Sequence, residues 1–330
     1  MVFFSVTAAF VLLCHGADVS VESGGKASVA REPAPPPRNG TQFRALHPGG
    51  VYEAPRFLSD GEVEHLLRLL EASGGWGASP TGGAAYGLPS DGAAYRAMMC
   101  RDPVAARIER RIAEATGIAS HADEDNMSIA RIRSRGASHF PPFGLHHDSD
   151  GRPYRSRTVI MYLTTVPEGE GGMTIFPLLY APKGAATARR HAEFAAAIST
   201  HYTGRSKRWQ RHVTFDPAAK HPFNTLLSAA CRGRHGVAVR PRRGAAIMFE
   251  QRRAVDGEEN DATWHAGCNL VTTTSSTSSS SGGTEKVILQ KFKELPLGER
   301  PERDRQIPFP YKSCERESAS EGSNPGIKIN

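Results

Sequence analysis

The 330-residue chain reads as a mainly β fold with flanking helices, built as a closed or two-sheet β architecture. From Met127 onward, short β-rich runs follow one another, separated by Gly and Pro and with few helical patterns between them. Ahead of them lie two stretches whose apolar residues repeat on one helical face. Hydrophobic residues make up 39% and charged residues 23%, a balance that lets one large soluble domain bury a core and excludes a membrane bundle or a wholly disordered chain.

The elements follow in order. Residues 2–13 are an almost unbroken apolar run ending in Gly16 and Ala17, which reads as a secretory signal peptide or an uncleaved anchor over 1–17. A membrane enters the reading only through such an anchor. Residues 18–50, rich in Pro, Gly, Ser and Ala, read as a flexible leader. The folded domain is expected over 51–311, with a tail at 312–330. Ser59 followed by Glu62 has capping-box spacing, and Val63, Leu66, Leu67 and Leu70 then share a face, so the pattern predicts a helix over 59–73. A second begins at Asp102 and Pro103, buries Val104, Ile108 and Ile112, and stops at Gly117. Strands are predicted at 128–133, 158–163, 173–176, 237–239, 245–249, 264–273 and 287–292.

Two segments interrupt the strands. Residues 272–283 form a Ser/Thr/Gly tract, and residues 180–236 are long, Ala- and Arg-rich and partly helix-forming. Between Leu178 and Arg243 thirteen Lys or Arg stand against two acids, a formal +11 where the whole chain carries +7. The plain reading is a solvated insertion; the sharper one is a basic lid that attracts an acidic peptide. No aromatic-interleaved motif accompanies the charge, so no nucleic-acid partner is expected.

Removal of a signal peptide would take Cys14 away and leave Cys100, Cys231, Cys268 and Cys314, an even number suited to disulfides in an oxidising lumen, with the pairing open. Asn39 and Asn126 head glycosylation sequons usable in that compartment.

His146 and Asp148 stand two apart, so on an extended chain both side chains point to one face. Two imidazoles and one carboxylate on one face are the usual ligand set for an iron(II) that must also bind a cosubstrate and dioxygen, and His265 is the choice for the distant third ligand. A second His-x-Asp, His121 and Asp123, lies in an acidic stretch between a helix and a strand and reads as a surface turn. His147 lacks the two-residue step to Asp148.

After His146 come Arg157-Thr-Val-Ile-Met-Tyr-Leu163, Gly171-Gly-Met-Thr-Ile-Phe-Pro177, Arg240-Pro-Arg-Arg-Gly-Ala-Ala-Ile-Met-Phe249 and His265-Ala-Gly-Cys268. This ordered series resembles the prolyl 4-hydroxylase catalytic domain across residues 51–293. The resemblance implies a double-stranded β-helix, a jelly-roll barrel with iron at its open end. It further implies that His146, Asp148 and His265 ligate Fe(II), that Lys286 pairs with the distal carboxylate of 2-oxoglutarate, and that Thr174 hydrogen-bonds the same carboxylate. Lys291 and Lys293 are the alternative lysines, because the tract at 272–283 lengthens the usual spacing from His265. Ser134 or a neighbour stands where the family commonly has a Tyr. The implied reaction hydroxylates a proline-containing protein or peptide, releases succinate and CO2, and draws on L-ascorbate to keep iron reduced, in the endoplasmic reticulum lumen or secretory pathway. The alternatives are the same chemistry on another residue or a small molecule, and a catalytically silent secreted β-barrel that binds an acidic partner.

Overall fold

The computed structural model describes residues 42–79, 83–122, 124–134, 145–149, 154–179, 222–253, 257–271 and 284–300, with positions 188–189, 192–193, 195–196 and 212–213 between them. The apolar run at 1–17, the leader up to residue 41, the Ser/Thr tract, residues 301–330, Asn39, Asp123 and most of the basic insertion lie outside the described residues.

Thirteen strands are described: β1 (Arg44–His47), β2 (Val51–Ala54), β3 (Trp76–Ser79), β4 (Gly83–Pro89), β5 (Ser128–Arg133), β6 (Leu145–His146), β7 (Arg155–Tyr162), β8 (Thr174–Phe176), β9 (His212–Val213), β10 (Val237–Val239), β11 (Ala246–Glu250), β12 (Ala266–Gly267) and β13 (Glu285–Glu294). The α-helices are α1 (Asp60–Ala72), α2 (Gly92–Arg101), α3 (Pro103–Thr116) and α4 (Pro222–Cys231). The large antiparallel sheet runs β1-β2-β11-β7-β13-β5-β4-β3, and a small one runs β10-β8-β12. A bridge between His146 and His265 adds β6, which also pairs with β9. The chain therefore alternates between sheets, so that β11-β7-β13-β5 face β10-β8-β12-β6. That is jelly-roll topology, the double-stranded β-helix. The expected barrel is corrected in one respect: among the described residues no ladder joins the two sheets. The small-sheet strands β6, β8, β10 and β12 are two or three residues long and leave few backbone groups at the edges for such a ladder.

Strand parity sorts the side chains into layers. On β7, Val159 and Met161 face the helices while Ile160 and Tyr162 face the small sheet; on β11, Ala246 and Met248 divide from Ile247 and Phe249 in the same way. The helix-side core joins these residues to Val63, Leu66 and Leu70 of α1 and Ile108 and Ile112 of α3, all fully buried. Each such side chain contributes about 1.5–3 kcal/mol by leaving water. On the far side, Leu145, Ile175 and Ala266 of the small sheet pack on Leu227, Ala230 and Cys231 of α4.

Both predicted helices are present, and their ends follow the expected chemistry. The Ser59 hydroxyl accepts from the Glu62 amide while the Glu62 carboxylate accepts from the Ser59 amide. Arg111 of α3 then grips buried Glu62 with both guanidinium arms, locking the two helices together. Asp102 caps α3 and Gly117 ends it at φ 67°. The leader is shorter than expected, because β1 pairs with β2 from Arg44 and Phe43 packs on Phe57 at 5.3 Å. Of the strand expected over 264–273, the described residues 264–271 hold β12 and single bridges at His265 and Leu270. The basic insertion is not wholly solvated, since its helix α4 closes a core and carries a disulfide from Cys231 to Cys268. Cys100 is also disulfide-bonded. No described helix is long and apolar enough to cross a membrane.

Candidate metal and anion site

His146 and His265 lie directly opposite each other and exchange both backbone hydrogen bonds, 2.9 Å each. Directly paired residues share a face, so both imidazoles enter the space between the sheets, with ring centroids 4.3 Å apart. Asp148, two residues on, turns its carboxylate between them: Oδ1 lies 3.6 Å from His146 Nε2 and Oδ2 lies 3.5 Å from His265 Nε2. Ligand atoms of the three residues all fall within 4.8 Å of one another, the spacing a single metal ion requires, and they form the one such group among the described residues.

The surroundings prepare these atoms for a cation. His265 Nδ1 sits 3.0 Å from the Thr263 carbonyl, which can only accept, so the ring proton is on Nδ1 and the Nε2 lone pair is turned to the cluster. Burial alone would push the Asp148 carboxyl up; His265, His146 and Arg155 together with the Thr158 hydrogen bond reverse this and hold it below the usual carboxylate range. Arg155 donates to the Asp148 carbonyl at 2.9 Å while bound to Asp125 and Glu294 and stacked 3.5 Å over the Phe292 ring, which fixes the backbone at the ligand. His147 is excluded as a ligand: its two ring nitrogens lie 2.7 Å from Ser149 Oγ and 3.2 Å from the Asn260 carbonyl. His121 likewise spends Nε2 on the Glu294 carbonyl, away from the cluster.

The three lysines of β13 separate cleanly. Lys291 pairs with Glu109 and Glu124, and Lys293 with Glu124, so both belong to a buried ion network on the helix side. Lys286 has the opposite parity and enters the space between the sheets. There it donates to the Gly172 carbonyl at 2.8 Å and Thr174 Oγ1 at 3.2 Å, with no carboxylate partner among the described residues. Burial alone depresses its pKa to about 7. A buried ammonium held only by two neutral acceptors has capacity left for an anion. The position facing it is Gly267, where a Cβ would stand 3.9 Å from the lysine Nζ. Gly171 and Gly172 take φ 75° and 68°, and a side chain on Gly171 would overlap the Asn269 carbonyl oxygen, so the pair is needed to present the Gly172 carbonyl.

Several site residues were not named from sequence. Tyr162 places its phenol 2.9 Å from Thr174 Oγ1, and its ring lies 5.6 Å from Lys286 Nζ. Its signal was parity with Ile160. Thr158 and Gln251 touch Asp148; Thr158 lay within the run Arg157–Leu163 without a role of its own, and Gln251 carried no motif. A cavity of about 800 Å³ lined by Phe43, Tyr52, Arg157 and Met248 lies on the helix side, away from this chemistry.

No family model matches the chain, and no curated protein sequence matches it. Among solved structures, a viral collagen prolyl hydroxylase from Paramecium bursaria Chlorella virus 1 in complex with 2-oxoglutarate is similar at 15% identity and TM-score 0.36, over 74% of this chain and 96% of that one. The epimerase SnoN, with Fe3+ and α-ketoglutarate, is similar at 16% and 0.37, over 74% and 78%. HygX from Streptomyces hygroscopicus, with nickel and 2-oxoglutarate, is similar at 14% and 0.36, over 74% and 82%. Likenesses of this size carry no functional argument, which rests on the topology and the site.

Proposed function

We propose that this chain is an Fe(II)- and 2-oxoglutarate-dependent dioxygenase that hydroxylates peptidyl proline in the manner of the prolyl 4-hydroxylases. The observation that carries the reading is the convergence of His146, Asp148 and His265 within 4.8 Å, in the same inter-sheet space that Lys286 enters with no carboxylate partner among the described residues. Two imidazoles and one carboxylate suit Fe(II) and leave coordination positions for a chelating keto acid and dioxygen. Bound iron and 2-oxoglutarate supply oxidative decarboxylation coupled to hydroxylation, with release of succinate and CO2.

The chain's own residues supply position and dryness. The Thr263 carbonyl sets the His265 tautomer, and Arg155 holds the backbone of Asp148. Lys286, Thr174 and the Tyr162 phenol together form the seat for a carboxylate, aligned by the apolar walls of Phe176 and Phe249, whose rings lie 5.7 and 4.5 Å from that of His265. The proline specificity rests on the ordered motifs from His146 to Cys268. The Cys231–Cys268 disulfide supports an oxidising compartment, consistent with a secretory route to the endoplasmic reticulum lumen and with L-ascorbate as reductant. The test is succinate production by the purified protein with Fe(II), 2-oxoglutarate, ascorbate and proline-rich peptides, with mass spectrometry for a gain of one oxygen on proline. Succinate without peptide oxidation would keep the cosubstrate chemistry and remove the proline assignment.

A further inference from the structure

Thr158 on β7 and Gln251, the residue that follows β11, meet at one oxygen of Asp148. Thr158 Oγ1 donates to Asp148 Oδ2 at 2.8 Å, and Gln251 Nε2 lies 3.1 Å from Thr158 Oγ1 and 3.4 Å from Asp148 Oδ2. Both residues are fully buried. The amide orientation follows from the partners: Thr158 has given its only proton to the carboxylate, so both neighbours of the glutamine can only accept, and the NH2 group must face them. That leaves Gln251 Oε1 buried with no hydrogen-bond partner. An unpaired buried carbonyl costs about 1–3 kcal/mol, so a fold seeking stability alone would do better with an apolar side chain here. Each carboxylate oxygen of Asp148 faces one imidazole, Oδ1 that of His146 and Oδ2 that of His265, but Oδ2 alone is also held by Thr158 and approached by Gln251.

We propose that Thr158 and Gln251 are positioning residues that hold Asp148 as a one-oxygen ligand through Oδ1, and so keep a coordination position of the metal open for cosubstrate or dioxygen. This rests on the functional reading above. With the clamp removed, the carboxylate would be free to turn, so that Oδ1 would no longer be held toward the metal and Oδ2 could enter the position that should stay open.

Cobalt(II) is the probe, because it is redox-silent and its visible spectrum reports coordination number. Co(II) is titrated into the full-length wild type, Thr158→Val, Gln251→Leu and Thr158→Ser, and the melting temperature of each metal-free protein is taken in parallel. Expected are a 10–100-fold loss of Co(II) affinity in Thr158→Val and Gln251→Leu, the usual size for outer hydrogen bonds to a metal ligand, and an altered visible spectrum. Thr158→Ser should restore both, and the metal-free Gln251→Leu protein should melt no lower than wild type. Wild-type affinity and spectrum in both variants would overturn the proposal. So would metal-free variants that fail to fold or melt far below wild type, which would mark the pair as structural. A wild type that binds no Co(II) would instead overturn the functional reading on which the proposal stands.

Discussion

Replacing Lys286 by Met separates the anion seat from the fold. The lysine pKa falls from 10.5 to about 7 through burial, with no opposing cause. A shift of that size corresponds to about 5 kcal/mol of disfavoured charge. The unfolded chain binds the proton more strongly than the folded one, so the penalty is full below pH 7. It shrinks by about 1.4 kcal/mol per pH unit as pH rises, and vanishes above the ordinary lysine value. Lys286→Met removes the penalty but strands the Gly172 carbonyl, which returns about 1 kcal/mol of the gain. The variant without cosubstrate should therefore be more stable than wild type by about 2–4 kcal/mol at pH 6.5 and nearly equal to it at pH 10. Urea denaturation at the two pH values measures this. Binding of 2-oxoglutarate should move the other way. Wild-type affinity should fall about tenfold per pH unit above 7, because the anion needs the protonated lysine. The variant should bind about 3 kcal/mol more weakly, roughly a hundredfold, and without that pH dependence. A variant that is less stable at pH 6.5 and binds 2-oxoglutarate as wild type does would mean that Lys286 neither carries a burial penalty nor holds the anion.

Alanine at His146, Asp148 or His265 should abolish metal binding in equilibrium dialysis, whereas His121→Ala and Asp123→Ala should bind as wild type; metal loss in the latter pair would return the second His-x-Asp to contention. Ile108→Ala opens a cavity between α3 and the large sheet and should cost about 2–5 kcal/mol by chemical denaturation, while leaving metal affinity in the folded fraction intact. Cys231→Ser opens a loop of 37 residues and should cost about 2–4 kcal/mol, read as a lower melting temperature under non-reducing conditions. Cutting the basic insertion back from 187 to 234 would also remove α4 and β9, the strand paired with His146, so the informative deletion stops at residue 211; it should weaken acidic peptides more than neutral ones, with the difference fading at physiological salt.

The sequence was most legible where local chemistry and burial agree. The Ser59 and Glu62 box, the Asp102-Pro103 start and the Gly117 stop mark helices whose apolar faces are also their buried faces. The two-residue step at His146 marked one half of the metal cluster, and the motif around His265 the other. Less was legible where burial comes from outside the element. The β3–β4 hairpin is built from Gly, Ala and Pro with almost no β-branched residues, and α2 has only Tyr95 and Met99 buried, so neither showed a period. Lys286, Lys291 and Lys293 look alike on one strand; their roles divide by parity and by the acids of α3 and the following loop, which only the folded chain brings near. Gln251 could not be found from motifs, since its meaning lies in the Asp148 oxygen it reaches across 103 residues.

We propose that the His146, Asp148 and His265 cluster and the Lys286 seat serve one reaction, and succinate formation reports on both at once. Purified protein loaded with one Fe(II) should convert 2-oxoglutarate to succinate in an oxygen-dependent way, faster with a proline-rich peptide present. Asp148→Ala should lose the conversion entirely, and Lys286→Met should recover it only at far higher cosubstrate. Iron-loaded wild type that makes no succinate, or Asp148→Ala that makes it at the wild-type rate, would contradict the claim.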